Sequence, residues 1–180
     1  MHWSRAFVLV IALAAVTEAL AQLPTYGVGR TPSAKEIRDQ DITIGPSGKG
    51  LPEGRGTAVQ GAAIFEKRCA HCHGVNGESE GQFPALSGPK ARVVEYPFAT
   101  TIWDFINSAM PRRVPDIGTR DGSLTAEEVY ALTAFILYRN GIIKETDVLD
   151  AASLPKIKMP KRDPHLDKVA PHSLKTAVFG

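Results

Sequence analysis

The apolar residues of this chain fall into four groups, separated by stretches rich in glycine and proline. The first, from Ala6 to Val16, is unbroken, follows Arg5 and is followed by Ala19, Leu20 and Ala21. That pattern reads as a secretory signal peptide cut between Ala21 and Gln22. The competing reading is an uncleaved membrane anchor, but a span needs about 20 apolar residues. No later segment is apolar for long enough to cross a membrane. The second group, in "TAVQGAAIFEKRCAHC", has helical spacing, with Val59, Ala62, Ala63 and Phe65 near one face. The third predicts a helix over 100–109, capped by Thr100 or Thr101, with Ile102, Phe105, Ile106 and Ala109 on its apolar face; Pro111 stops it. The fourth, "LTAEEVYALTAFILYRNGII", is the cleanest helix. Thr125 and Glu128 form a capping box, and Gly141 ends the helix. Val129, Leu132, Ala134, Phe135, Ile136 and Leu137 give it a broad apolar stripe.

These groups predict an all-α domain of three helices. Gly61 costs about 1 kcal/mol against alanine inside a helix, which makes sense where another helix crosses closely. Gly61 and Phe65 are therefore expected to pack on Leu132 and Phe135. The organisation that follows is a signal peptide over 1–21, an extended arm over 22–56, the helical domain over 57–145 and an irregular tail over 146–180. The tail sets Lys156, Lys158, Lys161, Arg162, Lys168 and Lys175 against Asp163 and Asp167, with prolines at 155, 160, 164 and 171. It reads either as a wrap that covers the core with Leu154, Ile157 and Met159, or as a docking strap for a partner.

The length of 180 residues suits one domain with extensions, and the formal net charge of +2 does not point to nucleic acid. Loss of one Arg and one Glu with the signal peptide leaves the charge near +2. Export makes the bacterial periplasm the expected destination.

The chemistry lies in "EKRCAHCHGVNG", where Cys69 and Cys72 are the only cysteines of the chain and His73 follows them. A structural disulfide framework would use more cysteines at wider spacing. A redox dithiol would follow a strand in a βαβ unit, whereas a helix precedes this motif. Zinc needs about four ligands, and Cys69, His71, Cys72 and His73 are too crowded for one tetrahedral site. Cys-x-x-Cys-His uses all three residues as the attachment pattern of haem c: two thioethers to the porphyrin and a proximal histidine to the iron. His71 is then a spacer.

The iron's other face needs a ligand or an opening. The mature chain offers Met110, just past a helix end on a proline-rich turn, and Met159, in the tail. The scaffolded position favours Met110, with Met159 as the alternative. A ligating histidine usually donates its second ring N–H to an acceptor, and the carbonyl of Pro84 in "QFPALSG" is suited to receive it from His73. Arg112, its neighbour Arg113 and the indole N–H of Trp103 are candidates to pair with a haem propionate.

"GAAIFEKRCAHCHGVNG", "FPALSG", "AMP" and "LTAEEVYALTAFILYRNG", in this order, resemble a class I cytochrome c domain. "YPFATTIWDFINSAMP", "SLTAEEVYALTAFIL" and the late "LPKIKMPKRD" resemble the cytochrome subunits that accompany molybdenum sulfite or sulfane dehydrogenases in sulfur-oxidising bacteria. The resemblance covers most of residues 26–163. It implies a three-helix fold around one covalent haem at Cys69 and Cys72, with His73 and Met110 as iron ligands. It also implies a molybdenum subunit as electron donor and another cytochrome or oxidase as acceptor. Some relatives carry two haems; this chain has one motif. Electron transfer without catalysis is the function expected. The alternative is a haem enzyme or gas sensor with an open iron face, for which His165 and His172 are the only late histidines. A structural haem within a larger complex is a third reading.

Overall fold

The structure, a computed structural model, describes residues 28–79, 81–112, 124–163 and 165. The expected signal peptide, Arg113, His172 and the end of the tail lie outside the described residues. Two compact units divide the chain at Asp39 and Gln40. In the first, helix α1 (Ala34–Gln40) begins inside the segment expected to be extended. Its signal is Ser33-x-x-Glu36: the Ser33 hydroxyl accepts from the Glu36 N–H (3.2 Å), while the Glu36 carboxylate accepts from the Ser33 N–H (2.8 Å). Arg30 also pairs with Glu36. The Arg30 guanidinium first, then the Ser33 backbone and hydroxyl, bring the Glu36 carboxyl down to about 2.

The second unit is built on three helices: α2 (Ala58–Arg68), α4 (Thr100–Ala109) and α5 (Ala126–Arg139). The single turn α3 (Ala70–His73) follows α2 directly, and the Cys69 N–H still bonds the Phe65 carbonyl at 2.9 Å. Thr57 caps α2 in a capping box with Gln60. Thr125 and Glu128 do the same for α5, as the sequence predicts. Helix α5 ends in a Schellman arrangement: Ile142 N–H to Leu137 carbonyl (3.0 Å) and Gly141 N–H to Tyr138 carbonyl (2.8 Å), with Gly141 at φ +69°. Helix α4 is capped differently from expectation. Ala99 is its N-cap without a side-chain bond, and the Thr100 hydroxyl is buried with no partner among the described residues. Residue 110 leaves the helix in an extended conformation, and the Met110–Pro111 peptide is cis.

Helices α2 and α5 cross at Gly61. A Cβ there would stand 2.8 Å from Phe135 Cβ and closer still to the Ala131 carbonyl. Ala131 thus takes the place expected of Leu132. The rings of Phe65 and Phe135 stack at 4.9 Å, tilted by 40°. The buried face of α2 is Ala58, Gly61 and Phe65, so the expected face is rotated: Val59 is 60% exposed, and Ala62 and Ala63 are also exposed. Backbone contact requires the smallest side chains at the crossing, and that outweighs the larger Val59.

The expected stripe on α5 is instead burial on every side, from Val129 to Leu137. The arm and tail supply the extra cover. Strand β1 (Arg55–Thr57) pairs antiparallel with β2 (Val148–Asp150), with Gly56 opposite Leu149. This small ribbon sits beside a fold that is otherwise largely helical, as expected. It puts Gly56 against the backbone of Ala131. Beyond it, Asp150 accepts from the Ser153 N–H (2.8 Å) and hydroxyl (2.8 Å) and starts the 3₁₀ turn Leu154–Lys156. Leu149, Leu154 and Met159 are buried, so the described part of the tail covers the core. From the arm, Ile44 enters the core and its N–H donates to Asp104 on α4 (2.8 Å). Trp103 packs on Tyr130 with ring centroids 5.5 Å apart, joining α4 to α5.

Two outcomes follow from this packing. Gly61→Ala should destabilise the domain by about 2–3 kcal/mol and lower Tm by on the order of 10 °C, because neither helix backbone can yield; thermal unfolding reads it. Ala62→Gly, on the exposed face, should cost only about 1 kcal/mol. The second outcome concerns Tyr130, whose hydroxyl donates to the Pro52 carbonyl at 3.0 Å. Burial pushes its phenol up to about 12, and the Asp150 charge adds to the rise. An unfolded phenol ionises near about 10. This contribution is therefore complete below pH ~10 and is lost as pH rises through ~12. Denaturant melts across that window should show the fall in stability, and Tyr130→Phe should reduce it.

Candidate functional site

The α2–α3 junction presents the motif residues on one turn. The Cys72 and His73 N–H groups both bond the Cys69 carbonyl, at 3.1 and 3.0 Å. Cys69 and Cys72 are not joined in a disulfide and both are half-buried, and His73 is buried. Gly74, at φ +79°, then turns the chain into the loop that returns at Leu86. Within that loop the His73 Nδ1–H donates to the Pro84 carbonyl at 2.9 Å, the pairing anticipated from the sequence. A carbonyl can only accept, so the proton resides on Nδ1 and the lone pair of Nε2 is left for a metal.

Cys69, Cys72 and His73 line a cavity of about 410 Å³, as do Met110, Pro84 and Arg112. Its remaining walls are mostly apolar and come from every side of the unit. Phe83 and Leu86 come from the motif loop, Val93 and Tyr96 from the segment before α4, Ile102, Phe105 and Ile106 from α4, and Ile136 from α5. Phe105, expected in the core, is 46% exposed and faces this cavity. The two methionines are separated. Met110 is on the cavity wall, whereas Met159 is 4% exposed in the core and does not line it. Trp103 does not line it either. Its indole N–H is buried with no partner among the described residues. Arg112 is exposed and stands with Arg68 and Arg92 among the lining residues.

The donor set decides what such a cavity can hold. Burial raises the Cys69 thiol to about 11, against a smaller downward pull from Arg68. Redox dithiols need the opposite shift, toward the thiolate. Among the described residues no group of three or more His, Cys, Asp and Glu could hold a metal ion. Two thiols, one imidazole with a free Nε2, one thioether and apolar walls fit a haem. The thiols suit its vinyl groups, the walls its macrocycle, and the arginines its propionates.

Several lining residues were not anticipated. Arg92 and Val93 belong to a segment with neither periodicity nor motif, and nothing local in the sequence marks them, whereas Tyr96 opens the "YPFATTIWDFINSAMP" stretch that carries the resemblance. Phe83 and Leu86 flank Pro84 in the stretch already singled out, so their neighbourhood was the available signal. Ile136 was assigned to the core stripe of α5, and it is buried while also forming cavity wall.

A family model for cytochrome c matches residues 58–140. Among solved structures, a chain in the crystal structure of the sulfane dehydrogenase SoxCD from Paracoccus pantotrophus is similar, with a TM-score of 0.62 and 28% identity. The match covers 84% of this chain and 79% of that one. No curated protein matches the chain. Cytochrome c domains bind haem c covalently, and Cys69, Cys72 and His73 supply the attachment motif. Motif, helical fold and matched span agree on a cytochrome c domain within residues 58–140.

Proposed function

We propose that this protein is a periplasmic mono-haem cytochrome that carries single electrons, in which His73 and Met110 would hold the iron. The observation that carries the reading is the presence of His73 and Met110 on the walls of one cavity while Met159 is buried elsewhere. The bound haem supplies a one-electron couple, which Met/His ligation raises in potential. The chain's own residues do the rest. His73 is oriented by the Pro84 carbonyl, and Leu86, Ile102, Ile106 and Ile136 exclude water. Met110 is the C-cap of α4, so the helix positions its thioether. The exposed Phe105 and Arg112 mark the side from which a redox partner can approach.

The donor in this reading is a molybdenum-containing sulfite or sulfane dehydrogenase subunit, and the acceptor is another cytochrome or an oxidase. Similarity to a chain of a sulfane dehydrogenase supports the donor assignment. The apolar run before residue 21 supports export, and no described helix is long and apolar enough to cross a membrane.

Optical spectra of the reduced protein with and without carbon monoxide test the ligands. The wild type should be unchanged by the gas. Met110→Ala should bind it and shift the spectrum. Met159→Ala should leave the spectrum alone and lower stability by about 2–5 kcal/mol, as a core truncation does. Gas binding by Met159→Ala alone would move the ligand to the tail, and rapid binding by the wild type would favour the open-face haem enzyme or sensor. The partner is tested by mixing. A sulfane substrate alone should leave the haem oxidised, and adding a molybdenum dehydrogenase subunit should reduce it.

A further inference from the structure

We propose that Asn140 is a positioning residue for the haem's histidine: it fixes the loop whose carbonyl orients His73. The inference rests on His73 being the proximal ligand. The loop between Gly74 and Gly88 is tied at its base by the Gly77 carbonyl, which accepts from the Leu86 N–H (2.7 Å) and the Ser87 N–H (3.0 Å). Ser87, itself buried, adds a hydroxyl bond to the Asn76 carbonyl at 2.6 Å. These bonds close the loop on itself but do not attach it to the rest of the domain. The last two residues before Gly141 do that. Arg139 pairs with Glu78 on the first limb at 3.1 Å. The Asn140 side-chain amide donates to the Leu86 carbonyl on the second limb and to the Ile136 carbonyl of α5, both at 2.8 Å.

The two anchors differ in weight. The Arg139–Glu78 pair is partly exposed and of modest worth. Asn140 is half-buried and uses both N–H groups of one nitrogen on two carbonyls. Pro84 is two residues from Leu86, exposed, and lacks an N–H of its own. Its carbonyl position is therefore inherited from Leu86, and Leu86 is held to α5 by Asn140. The amide is specific to the task. An aspartate of the same shape would turn acceptor oxygens on two carbonyls, and alanine would leave both without their donor.

The consequence is electronic as well as structural. The Nδ1–H bond to a carbonyl raises the basicity of the ligating imidazole. Loosening it leaves the iron less electron-rich and favours the reduced state. Holo protein carrying Asn140→Asp should therefore show a raised reduction potential. Its His73 Nδ1–H should exchange with solvent about fivefold to tenfold faster, the equivalent of one hydrogen bond. Asn140→Ser keeps one donor and should give a smaller shift in the same direction, which serves if the aspartate variant fails to fold. Leu154→Val, buried in the tail region away from the cavity, controls for stability loss alone and should move neither readout. Wild-type potential and exchange in a folded Asn140 variant would overturn the proposal, and so would equal shifts in Leu154→Val. Absence of the paramagnetically shifted His73 ring resonances from the wild type would instead overturn the ligand assignment.

Discussion

The backbone of α2 rests on the backbone of α5 at Gly61 and Ala131, and the placement of the haem motif depends on that contact. Gly61 lies eight residues before Cys69, about 12 Å along a continuous helix. At 3.6 residues per turn, a shift of one residue at the crossing would rotate the motif by about 100°. The crossing therefore determines which way the two sulfurs and the imidazole face. It leaves little room for adjustment, because a Cβ at Gly61 or at Gly56 would overlap Ala131. The aromatic pair Phe65–Phe135 lies further along the same face and resists rotation about the crossing.

The end of α5 extends this control beyond the motif. Residues Arg139 and Asn140 hold the loop that faces His73, while Ile136, one turn earlier, forms cavity wall. One helix thus contributes to the motif's direction, the histidine's orientation and the exclusion of water. Such concentration suits a redox site. A haem that exchanges electrons without chemical change gains most from ligands whose geometry is fixed before and after the transfer. The arm and tail add to the rigidity. The β1–β2 ribbon closes over Ala131 with Leu149 inward, and Tyr130 is held from above by Pro52.

What the sequence revealed was what neighbouring residues decide among themselves. The capping box of α5, its glycine stop, the motif turn and the His73–Pro84 pairing all depend on partners within a few turns or one short loop. The Ser33-x-x-Glu36 signal of α1 is of the same kind, but it lies in a segment rich in glycine and proline that masks it. What stayed hidden depends on residues far apart in the chain. Periodicity alone gave α2 the wrong face, since the demand for small side chains is set by Ala131. Three-residue strands have no alternation to read, so the ribbon between Arg55–Thr57 and Val148–Asp150 left no trace. Thr100 looked like a cap and is instead buried, since the segment before it enters the core through Ala99.

The two methionines show where local reading stops and placement takes over. Each is followed by proline, so the immediate sequence does not separate them. Met110 continues a series on α4 in which Ile106 and Ile102 stand one and two turns earlier, and all three line the cavity. The helix is amphipathic about the cavity, and its last apolar member is a thioether at the point where the chain leaves the helix. Met159 follows the 3₁₀ turn that begins with fully buried Leu154, and it shares that residue's destination in the core. A methionine there gains from packing, because its flexible thioether fills irregular space. The same side chain thus acquires a different role from the element that precedes it: α4 directs one sulfur to the cavity, and the tail commits the other to covering the fold.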